Sequence, residues 1–249
     1  MDTTVVTPLP SEAPMSEPAR ILNTFLAPAK TFSDLQRNGS WWGPFVVSAL
    51  VTVLFVAVMD RQVGFDQISR NEIARSSRAE QFDKLPADQK AKQMEISASI
   101  TKYISYATPV FVLLFTLIIA ATLMGAFNFG AGASVSFKAA FAIAMYGGLP
   151  WAIHALLGVL SMLAGVDKEA FSIRNPVGTN PAYFMDPAGN KFLLGLASAF
   201  DVFAFWSIVL LGIGFACNSK VKRSTAIAIV AGMFFVYKLI GAGLGALFS

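Results

Sequence analysis

The sequence predicts an all-α membrane protein, a bundle of five transmembrane helices with an amphipathic interfacial helix at the N-terminus. Three observations predict it. The residues are 55% hydrophobic and only 14% charged, against roughly 25% charged in a soluble domain. The mean hydropathy is +0.60. The apolar residues gather in five stretches, 42–59, 104–126, 139–163, 192–217 and 225–248, and of 19 basic and 15 acidic residues only Asp201 and Lys238 fall inside them. Each stretch is about 18 residues or longer, enough for a helix to cross a hydrocarbon core of ~30 Å. A soluble enzyme, a disordered chain and a disulfide scaffold are all excluded, the last because the single Cys217 has no internal partner.

Residues 1–19 hold four prolines, three acids and no apolar run. They lack the basic start and apolar core of a cleaved signal, so they are expected to form a disordered Pro-rich tail. Residues 20–248 are then one membrane domain. Within 20–37, Ile21, Leu22, Phe25, Leu26, Phe32 and Leu35 recur at helical spacing among Arg20, Lys30 and Arg37, with a break at Pro28. An apolar stripe bordered by cations suits the headgroup layer. Trp41 and Trp42 follow at the edge of the first span, where an indole ring is half wet. Pro44 falls in the first helical turn, where its missing N–H costs nothing.

The polar segment 60–102 carries eight basic and seven acidic residues. It reads as a helical insertion divided at Leu85-Pro86, with the second helix running into the second span. Its Ile68, Ile73, Phe82, Met94, Ile96 and Ile100 are too sparse for an independent core. Residues 164–191 contain three prolines and read as an ordered, irregular loop. Ala140, Ala144, Gly148 and Ala152 form a ribbon on the third span, and Ala228/Gly232 and Gly241/Gly245 do the same on the fifth; small residues let helices approach closely in lipid. Gly147-Gly148-Leu149-Pro150 predicts a bend.

Orientation rests on basic residues. With the N-terminus inside, inner segments carry three, one and three, and outer segments eight and three. The raw count favours the reverse, but the eight are scattered through a long loop beside nearly as many acids. Short loops obey the rule best, and Lys220-Val221-Lys222-Arg223 is the densest cluster, so the N-terminus is expected in the cytoplasm.

No motif for catalysis, cofactor or metal is present. Gly130-Ala131-Gly132 is not followed by Gly-Lys-Ser/Thr, one histidine cannot make a zinc-protease pair, and no Gly-x-Ser-x-Gly accompanies it. The net charge of +4 comes without a basic run or reading motif, so nucleic acid is not expected. What remains is a mid-membrane set of His154, Asp201 and Lys238, at similar depths counted from the span ends. Intramembrane charges usually face the interior and pair. Asp201 and Lys238 lie on consecutive spans joined by a short loop and are expected to form an ion pair with His154 nearby. The alternative is that Lys238 snorkels and Asp201 is protonated or bonded to a hydroxyl.

Two stretches carry a family resemblance. Pro28, Thr31 and Phe32, followed by Trp42 and Pro44, form one. Asp201 and Trp206, leading through a Leu-rich run to Gly212, form the other. Together they resemble the Yip-domain family, membrane proteins named for interaction with Ypt/Rab GTPases, and the similarity is closest to prokaryotic-looking members. The resemblance implies a five-helix bundle in a bacterial inner membrane and a membrane-organising or trafficking-type scaffold or adaptor rather than an enzyme. The expected partners are the lipid bilayer and another membrane protein or a second copy of the chain. GTPase binding is not carried over to any residue, because the Pro-rich tail matches no such feature. The alternative from another class is a small-ion or proton-coupled transporter using His154, Asp201 and Lys238.

Overall fold

Ser16 starts the first described helix by accepting a hydrogen bond at Oγ from the Ala19 amide, which satisfies one orphan donor of α1 (Glu17–Leu26). The computed structural model describes residues 14–76 and 79–247. The expected tail at 1–13 lies outside them, and its remainder is shorter than the sequence suggests, since helix begins at Glu17 rather than Arg20. Pro28 then opens α2 (Pro28–Asp34), where its locked φ suits the first helical position.

The described residues are helical, without strands. The first span is α3 (Trp42–Gln62). The insertion folds as α4 (Phe65–Ala74), α5 (Ala79–Asp83) and α6 (Ala87–Tyr106), so the break at Leu85-Pro86 falls where the sequence places it. Helix α6 runs on into α7 (Thr108–Gly125) after Ala107. The third span is α8 (Phe137–Gly147) and α9 (Pro150–Leu163), interrupted at the Gly-Gly-Leu-Pro step. Then come α10 (Lys191–Ala197), α11 (Val202–Cys217) and α12 (Arg223–Leu247). Among the described residues four helices are long and apolar enough to cross a membrane, and α10 with α11, meeting at 53°, makes a fifth when the bent pair is taken as one broken span.

The Ala-rich α8 is the centre of the bundle. Every residue from Ala140 to Gly147 is buried, and α8 packs against both α7 and α11. Phe127 and Phe215 stack at 4.4 Å beside it. Close approach is made by glycines the small-residue ribbons did not single out. A Cβ at Gly212 would lie 2.5 Å from Ile227 Cγ1, and one at Gly214 would lie 2.5 Å from Ile143 Cγ2. In lipid, where apolar burial gives helices little drive to associate, such contact supplies the dispersion energy. The ribbon expected on the fifth span is corrected: Gly232, Gly241 and Gly245 face open space.

The two ends of the bundle have different contents. At one end Gln36 Nε2 donates to the Cys217 carbonyl and Asn218 Nδ2 to that of Phe32 (2.9 Å), tying α2 to the loop before α12. At the other, Asn71 Nδ2 donates to the carbonyls of Lys168 (2.7 Å) and Phe171 (3.0 Å), tying the insertion to the 164–190 loop. The insertion has no core of its own, but Phe65 and Ile68 join Val56, Met59, Met162 and Phe171 in a small second cluster.

Candidate functional site: a polar cleft at the break in the fourth span

The apolar run 192–217 is continuous in sequence, yet the helix stops at Ala197 and restarts at Val202. Asp201 is the reason for the restart. Its extended backbone places Oδ1 over the new helix, where it accepts from the amides of Phe203 (2.8 Å) and Ala204 (3.4 Å). Oδ2 accepts from Thr179 Oγ1 (2.5 Å) and Asn180 Nδ2 (3.0 Å), both brought in by the 164–190 loop. A carboxylate at a helix N-terminus also meets the positive end of the macrodipole. Four bonds satisfy this buried group without a cation.

This overturns the expected ion pair. Among the described residues Asp201 and Lys238 form none. The Lys238 ammonium instead reaches Ser198 Oγ at 3.5 Å and sits 5.7 Å from the centroid of the Phe234 ring. The physical reason is the break itself: once Asp201 leaves the helix to cap α11, its oxygens are aimed at amides and the loop rather than at α12. The neighbour relation does hold, because α12 packs against both α10 and α11, and a Cβ at Gly195 would lie 2.8 Å from that of Ala242. His154 is held edge-on between Trp151 and Phe203, 5.4 Å from each ring.

His154, Asp201 and Lys238 do share one space. They line a cleft of about 1490 Å³ bounded by α10, α12, the insertion and the 164–190 loop. Arg75, Arg174 and Lys191 line it too, none of which the sequence had marked. Arg174 pairs with Glu72 at 2.9 Å. The only sequence signal for these cations was membership in the polar insertion 60–102 and the irregular loop 164–191. Among the described residues no group of three or more His, Cys, Asp or Glu is placed to hold a metal.

A second polar centre was missed altogether. Arg20 reads in sequence as the cationic border of an apolar stripe, but it is only 1% exposed. Its Nε donates to Asp34 Oδ2 at 2.6 Å and its Nη1 to Glu17 Oε1 at 3.0 Å. Tyr146 of α8 donates to Glu17 Oε2 at 2.6 Å, and the hydroxyls of Thr24 and Thr31 both donate to the Arg20 carbonyl. Burial opposes the guanidinium charge, but the hydrogen bond and charge of Asp34, together with Tyr146 and Glu17, raise the Arg20 pKa above its ordinary value. The outward face of α1 exposes Leu22 and Leu26, at 57% and 72%.

The remaining family-like residues are structural in placement. Phe32 is fully buried and lies against Gly214, Pro44 is buried in the first turn of α3, and Trp206 meets Phe25 edge-to-face at 5.4 Å. Trp42 is largely exposed. Apolar helices of this length, in this number, define a multi-pass integral membrane protein. The Yip1 domain model matches residues 22–244, most of the chain, and the protein belongs to that family. No curated protein and no solved structure matches it.

Proposed function

We propose that this Yip1-family membrane protein is a non-enzymatic scaffold or adaptor that organises its membrane through a partner docked on the N-terminal helix pair. One observation carries the reading: α1 is tied to α2 by Arg20 and Asp34 and to α8 by Glu17 and Tyr146, while Leu22 and Leu26 stand outward. A rigidly held helix with exposed leucines one turn apart is a ready partner for another apolar helix. The partner is another membrane protein or a second copy of the chain. The reading includes a cytoplasmic N-terminus in a bacterial inner membrane. The basic loop 220–223 supports that orientation, since the bonds of Gln36 and Asn218 hold its neighbourhood beside α2.

The rival is proton or small-ion transport, favoured by the shared cleft of His154, Asp201 and Lys238. The capping bonds weigh against it, because an aspartate already accepting four hydrogen bonds is a poor proton carrier. Proteoliposomes carrying a pH-sensitive dye separate the two. The adaptor reading expects proton leak no greater than in empty liposomes, and protein-dependent flux abolished by His154→Ala would replace it with transport.

A further inference from the structure

We propose that the cleft at the break of the fourth span binds a phospholipid with an anionic headgroup. Its size is the first argument. At about 1490 Å³ it exceeds the roughly 300–1,000 Å³ of ordinary small-molecule pockets.

Charge is the second argument. Four cations line the cleft against two carboxylates, Glu72 and Asp201. Glu72 is committed to Arg174, and Asp201 to its cap and the loop. Arg75, Lys191 and Lys238 have no carboxylate partner among the described residues. The first two are held in place by neutral carbonyls: Arg75 donates to those of Phe171 (2.7 Å) and Ala170 (2.6 Å), and Lys191 to those of Arg75 (3.0 Å) and Pro187 (2.7 Å). Carbonyls orient a cation without neutralising it, which leaves the rim prepared for an anion.

The apolar wall is the third argument, and it distinguishes a lipid from a soluble anion. Helix α12 presents Tyr237, Gly241 and Gly245 to the cleft, and both glycines face open space. Lys191 precedes Ser198 by seven residues on the segment packed along α12, so the Arg75–Lys191 rim lies about 10 Å from the level of Lys238. That arrangement matches a phospholipid: phosphate at the rim, ester carbonyls within reach of the Lys238 ammonium, and chains leaving along α12 past Tyr237 into the bilayer. The inference stands apart from the adaptor reading, since it concerns the opposite end of the bundle.

Native mass spectrometry of the purified full chain, titrated with phosphatidylglycerol, phosphatidylcholine and inorganic phosphate, tests it. Phosphatidylglycerol should bind roughly tenfold tighter than phosphatidylcholine, and the Lys191→Gln/Lys238→Met double variant should lose that preference. A Cβ at Gly241 meets nothing within 4 Å, so Gly241→Leu, with its melting temperature measured alongside, should keep the fold and weaken phosphatidylglycerol roughly tenfold. Equal affinity for the two lipids overturns the proposal. So does unchanged phosphatidylglycerol binding in Gly241→Leu. Displacement of the lipid by millimolar phosphate would make the cleft a soluble-anion site instead.

Discussion

Arg20 and Asp34 are joined at 2.6 Å beneath the N-terminal helix pair, and both are almost wholly withdrawn from solvent. The Arg20 Nη2 atom has no hydrogen-bond partner among the described residues, and the guanidinium is compensated by Asp34 and Glu17. Removing one member of such a pair leaves an uncompensated buried charge. Arg20→Met or Asp34→Asn alone should therefore destabilise the folded protein by about 3–5 kcal/mol. Arg20→Met combined with Asp34→Leu should recover much of the loss. Thermal melting in detergent reads both, and equal stability of the single variants would show the pair to be dispensable.

Asp201 acts as a cap rather than as half of an ion pair. Asp201→Ala removes the cap, worth about 0.5–2 kcal/mol, and takes the acceptor from Thr179 and one of two from Asn180, so the loss should be at the top of that range or beyond it. Lys238→Met should be close to neutral. A double-mutant cycle should give additive losses within about 0.3–0.5 kcal/mol. Strong coupling between the two positions would restore the ion pair.

Two glycine substitutions should move stability in opposite directions. At Gly212 a Cβ would approach the Ile227 backbone as well as its side chain, with Cα at 2.7 Å, so Gly212→Ala should cost about 1–3 kcal/mol by overpacking. Gly232 has open space around it, and Gly232→Ala should gain up to about 1 kcal/mol of helix propensity. Melting temperatures that fall for both would mean Gly232 is covered by a partner.

Sidedness is open to cysteine labelling. In a Cys217→Ser background, an impermeant maleimide applied outside the cell should modify Glu80→Cys in the insertion and spare Val221→Cys in the basic loop. Modification of the second alone inverts the topology.

Much of this fold was legible because hydrophobic length and charge exclusion act locally. The spans α3, α7 and α12 announce themselves as long apolar runs, and Pro86 and Pro150 mark real interruptions. The break at residues 198–201 was hidden because hydropathy averages over backbone direction. Its signal was Asp201 itself, an N-cap residue type immediately before an apolar run. Arg20 was misread for a related reason. Spacing shows which residues share a face but not which face is covered, and here the covered face holds Arg20 and Thr24 while Leu22 and Leu26 remain outside. Asp34 and Thr31, both polar and both buried, were the available hint. The cleft was illegible because its cations come from three separate segments.

Site-specific photocrosslinking in native membranes tests the adaptor reading most directly. A photoactivatable residue at Leu22 or Leu26 should give one discrete adduct with a protein, either a membrane partner or a second copy of the chain. The same probe at Val110, on the exposed surface of α7, should give lipid adducts only. Lipid adducts alone at Leu22 and Leu26 would contradict the account, leaving α1 as a membrane-surface helix without a partner.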